Sequence, residues 1–394
     1  MNVLWIVHYP VYSGPHNRIT LVAPLLREQG VNVTALVPRE SGDAADRLRR
    51  ADVDVVELPL GRLRNSRDPR LHLRFLRAFR RDVRRLRSVI RAKQIDVVMV
   101  AGLANPHGLI AGSLENVATI CQVVDTRTPA PLARMMLGLV DRTARVVVFG
   151  GERLITHHLG GRKIAPEVRV VRPCVDTQLF TVSEKRRTAT RAKLGIPLSA
   201  PVVGTVANLN PQKGIEYFIR AAEKVFAALQ DGWFVIVGQE YETHAAYAAM
   251  LRTEVEAARL PLDRVIFVGA ATNVHEYYPA FDVKVIASVP RSEGTTTTAM
   301  EAMACGVPVV ATDVGAVAEV VRHRETGLVV RPLDAGALAE ATLELLRTPQ
   351  LRTNLGQRAR SAAVSRHDVR EGAREQFAAL RAATDAHRFE EQPA

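Results

Sequence analysis

The stretch RSEGTTTTAMEAMACGVPVVATDVGAVAEVV, residues 291–321, decides how the rest of the chain reads. An apolar run, VKVIAS (283–288), ends just before it, and another, VPVVAT (307–312), lies within it. Between them the pattern turns helical, and strand, loop, helix, strand is the unit of a parallel sheet covered by helices. Glu293 falls in the loop after the first strand; Glu301, eight positions on, falls in the first turns of the helix. The threonine run 295–298 is expected to cap that helix, leaving backbone N–H groups to face an anion such as a diphosphate. The helix dipole favours the same charge. Glu301 is placed to accept hydrogen bonds from a ribose diol, as acidic residues do in other nucleotide sites. Without a ligand the pair reads as a capping acid followed by a surface acid, and an isolated E-x7-E is common by chance.

Outward from this stretch the same alternation continues. On its N-terminal side lie PVVGTVA (201–207), WFVIVG (233–238) and RVIFVG (264–269), and on its C-terminal side GLVV (327–330). Earlier come VLWIVH (3–8), VNVTALV (31–37), VDVVEL (53–58), IDVVMV (95–100), VATICQVV (117–124) and RVVVF (145–149), with helical stretches such as 18–29 and 71–92 between them. VRVVRPCVDTQLF (168–180) ends that first series, and the polar stretch SEKRRTATRAK (183–193) reads as a linker with a short helix. Runs apolar on both faces, separated by helices, specify doubly wound parallel sheets. The fold class is therefore α/β, two Rossmann-like domains facing across a cleft. At 394 residues the chain is long for a single core, which agrees.

The composition, 47% hydrophobic and 24% charged, is that of an ordinary globular protein. Cys121, Cys174 and Cys305 show no CxxC spacing and read as buried small hydrophobes in a reducing compartment. MNVLWIVHYP lacks a basic n-region and reads as a first strand rather than a signal peptide. No apolar run approaches the ~18 residues that span a bilayer. A cytoplasmic protein is expected, with possible contact to the inner face of a membrane.

The net charge is +12, and its distribution is uneven. Residues 62–93 hold 13 basic side chains against only Asp68 and Asp82. Within this stretch Leu76, Phe79, Val83, Leu86 and Ile90 recur at helical spacing, one apolar stripe with arginines on the other faces. Three readings stand: a surface helix with solvated arginines, a patch over residues 70–93 for anionic lipid headgroups, or a docking site for an anionic acceptor. Nucleic acid is not expected as a partner, because no recognition module accompanies the charge.

Segment 291–321 resembles the signature of family-4 retaining glycosyltransferases, in which an E-x7-E pair opens EAMACGxPVVAT. VVGTVANLNPQKG (202–214) is similar to that family's VGRLxPxKG loop, and FVIVGQE (234–240) to its next strand. VVRPCVDTQLF and ETGLVVRPLD (325–334) also fall in the family's order. The resemblance covers most of the chain and is strongest over 200–335. It implies a GT-B enzyme: an acceptor-side domain at 1–180, a linker at 181–200, a donor-binding domain at 201–365, and a C-terminal helix and tail at 366–394 that cross back to the first domain.

Carried over by position, Glu301 would hold the ribose hydroxyls, and Glu293 would contact the donor sugar. Gly294, Thr295 and Thr296 would meet sugar or phosphates through their backbone. Lys213 would stabilise the departing diphosphate. Where the family has an arginine beside that lysine, this chain has Asn208, so the charge rests on Lys213 or on Arg291 or Arg127. In YSGPHN (12–17) Gly14 remains of the family's glycine pair, the second glycine being Pro15. In CQVVDTRTP (121–129) Asp125 stands at or beside the family's histidine, as a catalytic candidate or a strand-end cap. His107, at a helix start in GLANPHGLIAG (102–112), and His8, at the end of the first strand, are further candidates for lining the acceptor side that also read as structural.

The expected reaction is transfer of a sugar from a nucleotide diphosphate donor, UDP-sugar favoured over GDP-sugar, to a hydroxyl of a glycan, glycolipid or lipid-linked acceptor with retention. No cofactor and no metal are expected. Asp52 and Asp54 spell DxD at a strand start away from the expected cleft and read as a decoy. A donor-binding protein without transfer, or an epimerase or hydrolase on the same fold, is the alternative.

Overall fold

A computed structural model describes residues 1–61, 68–124, 126, 128–258 and 260–391. The apolar runs form two sheets, and every pairing is parallel. The first sheet contains β1 (Asn2–Val7), β2 (Asn32–Pro38), β3 (Asp54–Leu58), β4 (Val97–Ala101), β5 (Ala118–Val123), β6 (Val146–Phe149) and β7 (Glu167–Val170). The second contains β8 (Val202–Val206), β9 (Trp233–Val237), β10 (Val265–Gly269), β11 (Val283–Ile286), β12 (Val309–Thr312) and β13 (Gly327–Val330). The spatial orders are β3-β2-β1-β4-β5-β6-β7 and β10-β9-β8-β11-β12-β13. In each sheet the direction of winding reverses once, between β1 and β4 and between β8 and β11. Strands β1, β4, β5, β8, β9, β11 and β12 are buried along nearly their whole length, as strands covered on both faces must be.

The chain divides into two compact units, residues 1–173 with 369–394, and residues 174–368. The final helix, Val369–Glu391, belongs to the first unit. Glu375 there accepts from the backbone N–H of Arg172 at 2.7 Å and from its guanidinium at 3.0 Å, and Gln376 is buried beside Met99. The stretch 181–200 differs from the linker expected of it. Its helix, Glu184–Lys193, is welded to the second unit through Arg191, which is fully buried. That guanidinium donates to the carbonyls of Ala280 (3.0 Å), Leu198 (2.7 Å) and Ala200 (2.8 Å) and pairs with Asp282 at 2.8 Å. The polar composition misled because an arginine ringed by carbonyls and a carboxylate is as well satisfied inside as outside.

In the second unit one apolar layer joins Met300, Met303, Ala359 and Ala363 to Val202, Val235 and Val309. On the other face Phe218, Ile219, Leu251, Leu338 and Leu345 pack on Phe234, Val285 and Val310. In the first unit the basic helix runs Pro69–Ala92, capped by Asp68 accepting from the N–H of Arg70 at 2.9 Å. Its buried stripe differs by one residue from the expectation: Phe75, Val83, Leu86 and Ile90 face inward, whereas Leu76 is 65% exposed. Phe75 wins because its ring packs on Phe79 and His107, while Leu76 shares the outer face with arginines. Among the described residues, no helix is long and apolar enough to cross a membrane.

Candidate functional site

Ligands of open α/β sheets sit beyond the carboxyl ends of the strands where the winding reverses. In the second unit that point is between β8 and β11. After β8 the chain makes one tight turn, Pro211–Lys213, fixed by the Asn210 side chain, which accepts from the N–H of Gln212 at 3.1 Å. Gly214 follows in the left-handed region at φ +59°, and a Cβ there would lie 2.1 Å from the carbonyl oxygen of Ala287. The N–H of Val289 donates to the carbonyl of Gln212 at 3.1 Å. The loops after β8 and β11 are thus fastened together at backbone level, and their side chains meet above.

Lys213 Nζ lies 2.5 Å from Oε1 of Glu293, and the same oxygen accepts from Ser288 Oγ at 2.7 Å. The Glu293 side chain is buried, whereas that of Lys213 is 26% exposed. Gly315, at φ +54°, backs this loop: a Cβ there would stand 2.3 Å from the Glu293 carbonyl oxygen, and the next N–H, of Ala316, donates to Gly294 at 2.7 Å.

Glu301 lies in the helix Thr297–Ala304. Its buried carboxylate accepts from Tyr278 Oη at 2.5 Å. Burial pushes the carboxyl above the usual range, against the hydrogen bond from Tyr278 and the charge of Lys284. Thr296 occupies the N-cap position, but its side chain makes no capping bond; its hydroxyl lies 3.0 Å from that of Thr298. The expected threonine cap is therefore not made, and no cap side chain occupies the first-turn N–H groups.

The remaining sequence candidates fall out differently. Asn208 is exposed and donates to Tyr241 Oη at 3.1 Å. Arg291 is exposed in the loop after β11, with a left-handed φ of +61°. Asp125 and Arg127 lie outside the described residues. In the first unit Gly14 opens the helix Gly14–Arg27, with open space where a Cβ would project. His8, at the end of β1, has Nδ1 3.1 Å from the carbonyl oxygen of Ala101. His107 is buried between Phe75 and Phe79, and burial lowers its imidazole to about 4, so it is neutral at physiological pH. Asp52 pairs with Arg27 at 2.6 Å and Asp54 with Lys93 at 2.5 Å, so the DxD carboxylates serve two separate ion pairs. All three cysteines are buried, and burial pushes the thiols of Cys121 and Cys305 up to about 12.

Three residues of this site escape sequence reasoning. Tyr278 and Ser288 each donate to one of the paired glutamates. Lys284, on β11, is fully buried, and its Nζ donates to Thr205 Oγ1 at 3.1 Å and to the carbonyl of Val285 at 2.7 Å. A lysine inside an otherwise apolar strand, VKVI, is the one visible signal.

A chain of two doubly wound parallel units, with paired acids and a lysine at the second switch point, has the architecture of the GT-B glycosyltransferases. Solved structures agree. Anabaena Alr3699/HepE, determined in complex with UDP, superposes with a TM-score of 0.83 over 97% of this chain and 100% of its own, at 20% identity. Sucrose-phosphate synthase from Thermosynechococcus elongatus gives 0.78 over 98% and 99%, also at 20% identity. These likenesses establish the fold.

Residues 186–362 match the family model described as Glycosyl transferases group 1. The lipopolysaccharide core biosynthesis mannosyltransferase LpsB of Rhizobium meliloti is 36% identical over 169 residues, 42% of this chain and 47% of that protein. A GDP-mannose-dependent phosphatidylinositol monomannoside mannosyltransferase of Corynebacterium glutamicum is 29% identical over 281 residues, 68% of this chain and 71% of that protein. The chain spans about half the length of most of the curated relatives it matches.

Proposed function

We propose that the chain transfers a sugar from a nucleoside diphosphate donor to a hydroxyl acceptor with retention of configuration. The observation that carries this reading is the bonding of Lys213 and Ser288 to Glu293 at the switch point of the second sheet, with Glu301 held by Tyr278 in the helix that follows. Lys213 and the first-turn N–H groups of the helix Thr297–Ala304 stabilise the negative charge that grows on the departing diphosphate. Glu293 holds the sugar hydroxyls, and Glu301 accepts from the ribose diol. The leaving phosphate oxygen takes the acceptor proton on the same face of the sugar, so the two-carboxylate arrangement of a glycosidase is not required.

UDP-sugar is the favoured donor, GDP-sugar the rival, since UDP is bound by Anabaena HepE and GDP-mannose is used by the Corynebacterium relative. Titration calorimetry with UDP, GDP and their sugar conjugates, followed by NMR of the product anomer, tests the reading. Binding of one nucleotide and an axial product from an axial donor support it. A chain that binds none of them, or gives an inverted product, overturns it.

The acceptor is proposed to be a glycan or lipid-linked glycan, reached at an anionic membrane surface. Leu73 and Leu76 are 48% and 65% exposed on the basic helix. They stand among Arg70, Arg74 and Arg77, and Leu73 with these arginines lines a shallow recess of about 460 Å³. Apolar side chains set among arginines suit the headgroup boundary, where each basic residue contributes ~1 kcal/mol. Salt-sensitive cosedimentation with anionic but not zwitterionic vesicles is expected; equal behaviour with both would remove the membrane from this reading.

A further inference from the structure

Lys284 stands out because the reaction as proposed has no use for it. Burying an ammonium costs several kcal/mol unless partners compensate, and the two oxygens it donates to, of Thr205 and Val285, are both neutral. A Met or Leu at this place in β11 would fill the core without that penalty. The charged groups whose fields reach Lys284 are the three that form the candidate donor site: Glu301 on the helix after β11, Glu293 in the loop between, and Lys213 after β8.

We propose that Lys284 is a positioning residue for the donor: a buried cation beneath the switch point that keeps Glu301 anionic for the ribose diol and adds positive charge toward the diphosphate. This rests on the donor reading above and names the group that completes it. Asn208 is uncharged, so the loop after β8 brings one cation, Lys213, and Glu293 already pairs with it. A second positive charge held inside the sheet repairs that deficit, and at low local dielectric it acts more strongly than one in solvent.

The position also makes the charge conditional. Burial, with the repulsion of Lys213, lowers the Lys284 ammonium to about 7, while Glu301 and Glu293 draw it back up. A diphosphate arriving beside Lys213 adds negative charge to this set, so Lys284 takes up a proton from the buffer as the nucleotide binds. Linkage then requires affinity to fall as pH rises above neutrality, where the nucleotide's own phosphates no longer titrate.

The test is calorimetry of UDP and GDP binding to the full chain at pH 8 in two buffers of different ionisation enthalpy. Wild type is expected to take up a substantial fraction of a proton. Lys284→Met is expected to abolish the uptake and weaken binding about tenfold, the effect of one charge acting through a partly screened interior. An uptake and affinity unchanged in a folded Lys284→Met overturn the inference. Should that variant not fold, the wild-type affinity profile from pH 7 to 9 decides: a fall supports Lys284, and a flat line overturns it. Wild type that binds neither nucleotide overturns the donor reading and this inference with it. Binding without proton uptake overturns the inference alone.

Discussion

Lys213 Nζ and Glu293 Oε1 lie 2.5 Å apart, so the two residues expected to handle donor phosphate and donor sugar are paired with each other. A diphosphate bound as proposed would draw Lys213 from Glu293, whose contacts with Lys213 and Ser288 would then be redistributed.

Glu293→Gln is therefore expected to separate binding from turnover. The amide oxygen still accepts from Ser288 but no longer competes for the ammonium, so UDP binds as tightly as to wild type or several-fold tighter. Transfer falls by about a hundredfold, as when one group aligned with the transition state is lost. Lys213→Met should lower both, with affinity down about ten- to a hundredfold, the range for losing a hydrogen bond to a charged group. Calorimetry and initial rates on the two variants check this; parallel losses in binding and rate for Glu293→Gln would count against the competition.

Gly214→Ala tests the fastening of the two loops. Its Cβ would meet the Ala287 carbonyl oxygen at 2.1 Å, at a φ of +59° that disfavours any side chain. Strain and displacement together should remove roughly 2–4 kcal/mol. A melting midpoint lower by several degrees and weakened nucleotide binding are expected together, because Lys213 is the adjacent residue. Full affinity with a lowered midpoint would show that Lys213 finds its place without the fastening.

Tyr278→Phe removes the hydroxyl that donates to the buried Glu301 carboxylate. Glu301 already sits above the usual carboxylate range through burial, and losing this bond raises it further. With Glu301 on the ribose diol as proposed, only its ionised form accepts from both hydroxyls, so binding is expected to weaken as pH falls through the Glu301 pKa. The variant's acid limb should accordingly move to higher pH. Affinity profiles of wild type and variant from pH 4 to 7 measure the displacement; superimposable limbs would disconnect Glu301 from the nucleotide.

The sequence made the alternation of strands and helices plain, since buried parallel strands are continuous apolar runs with helices between. Each expected run is found as a strand, and Glu167–Val170 adds a seventh to the first sheet at its edge. Less legible were features whose partners are far away in sequence. Tyr278 belongs to the site only because a short turn before β11 points its hydroxyl at a helix 23 residues on. Arg191 looked like a solvated linker residue until the carbonyls of Ala280 and Ala200 surrounded it. The first position of the basic helix's stripe is Phe75 rather than Leu76 because the two are comparably apolar, and packing against His107 decides between them.

Lys284 makes a prediction about stability that needs no ligand. Its folded pKa of about 7 lies below the ~10.4 of an unfolded lysine, so between those values the folded chain binds fewer protons than the unfolded one. Stability due to this residue therefore rises with pH across that window, at up to about 1.4 kcal/mol per unit, and its penalty is fully present below pH 7. In Lys284→Met that penalty is gone at every pH. The variant should exceed wild type in unfolding free energy at pH 6.5, and the gap should close as pH approaches 10. Urea unfolding at several pH values gives the difference directly, with other titrating groups cancelling between the two proteins. A gap that does not change with pH would mean that Lys284 keeps its proton throughout, held by Glu301 and Glu293 even before a donor arrives.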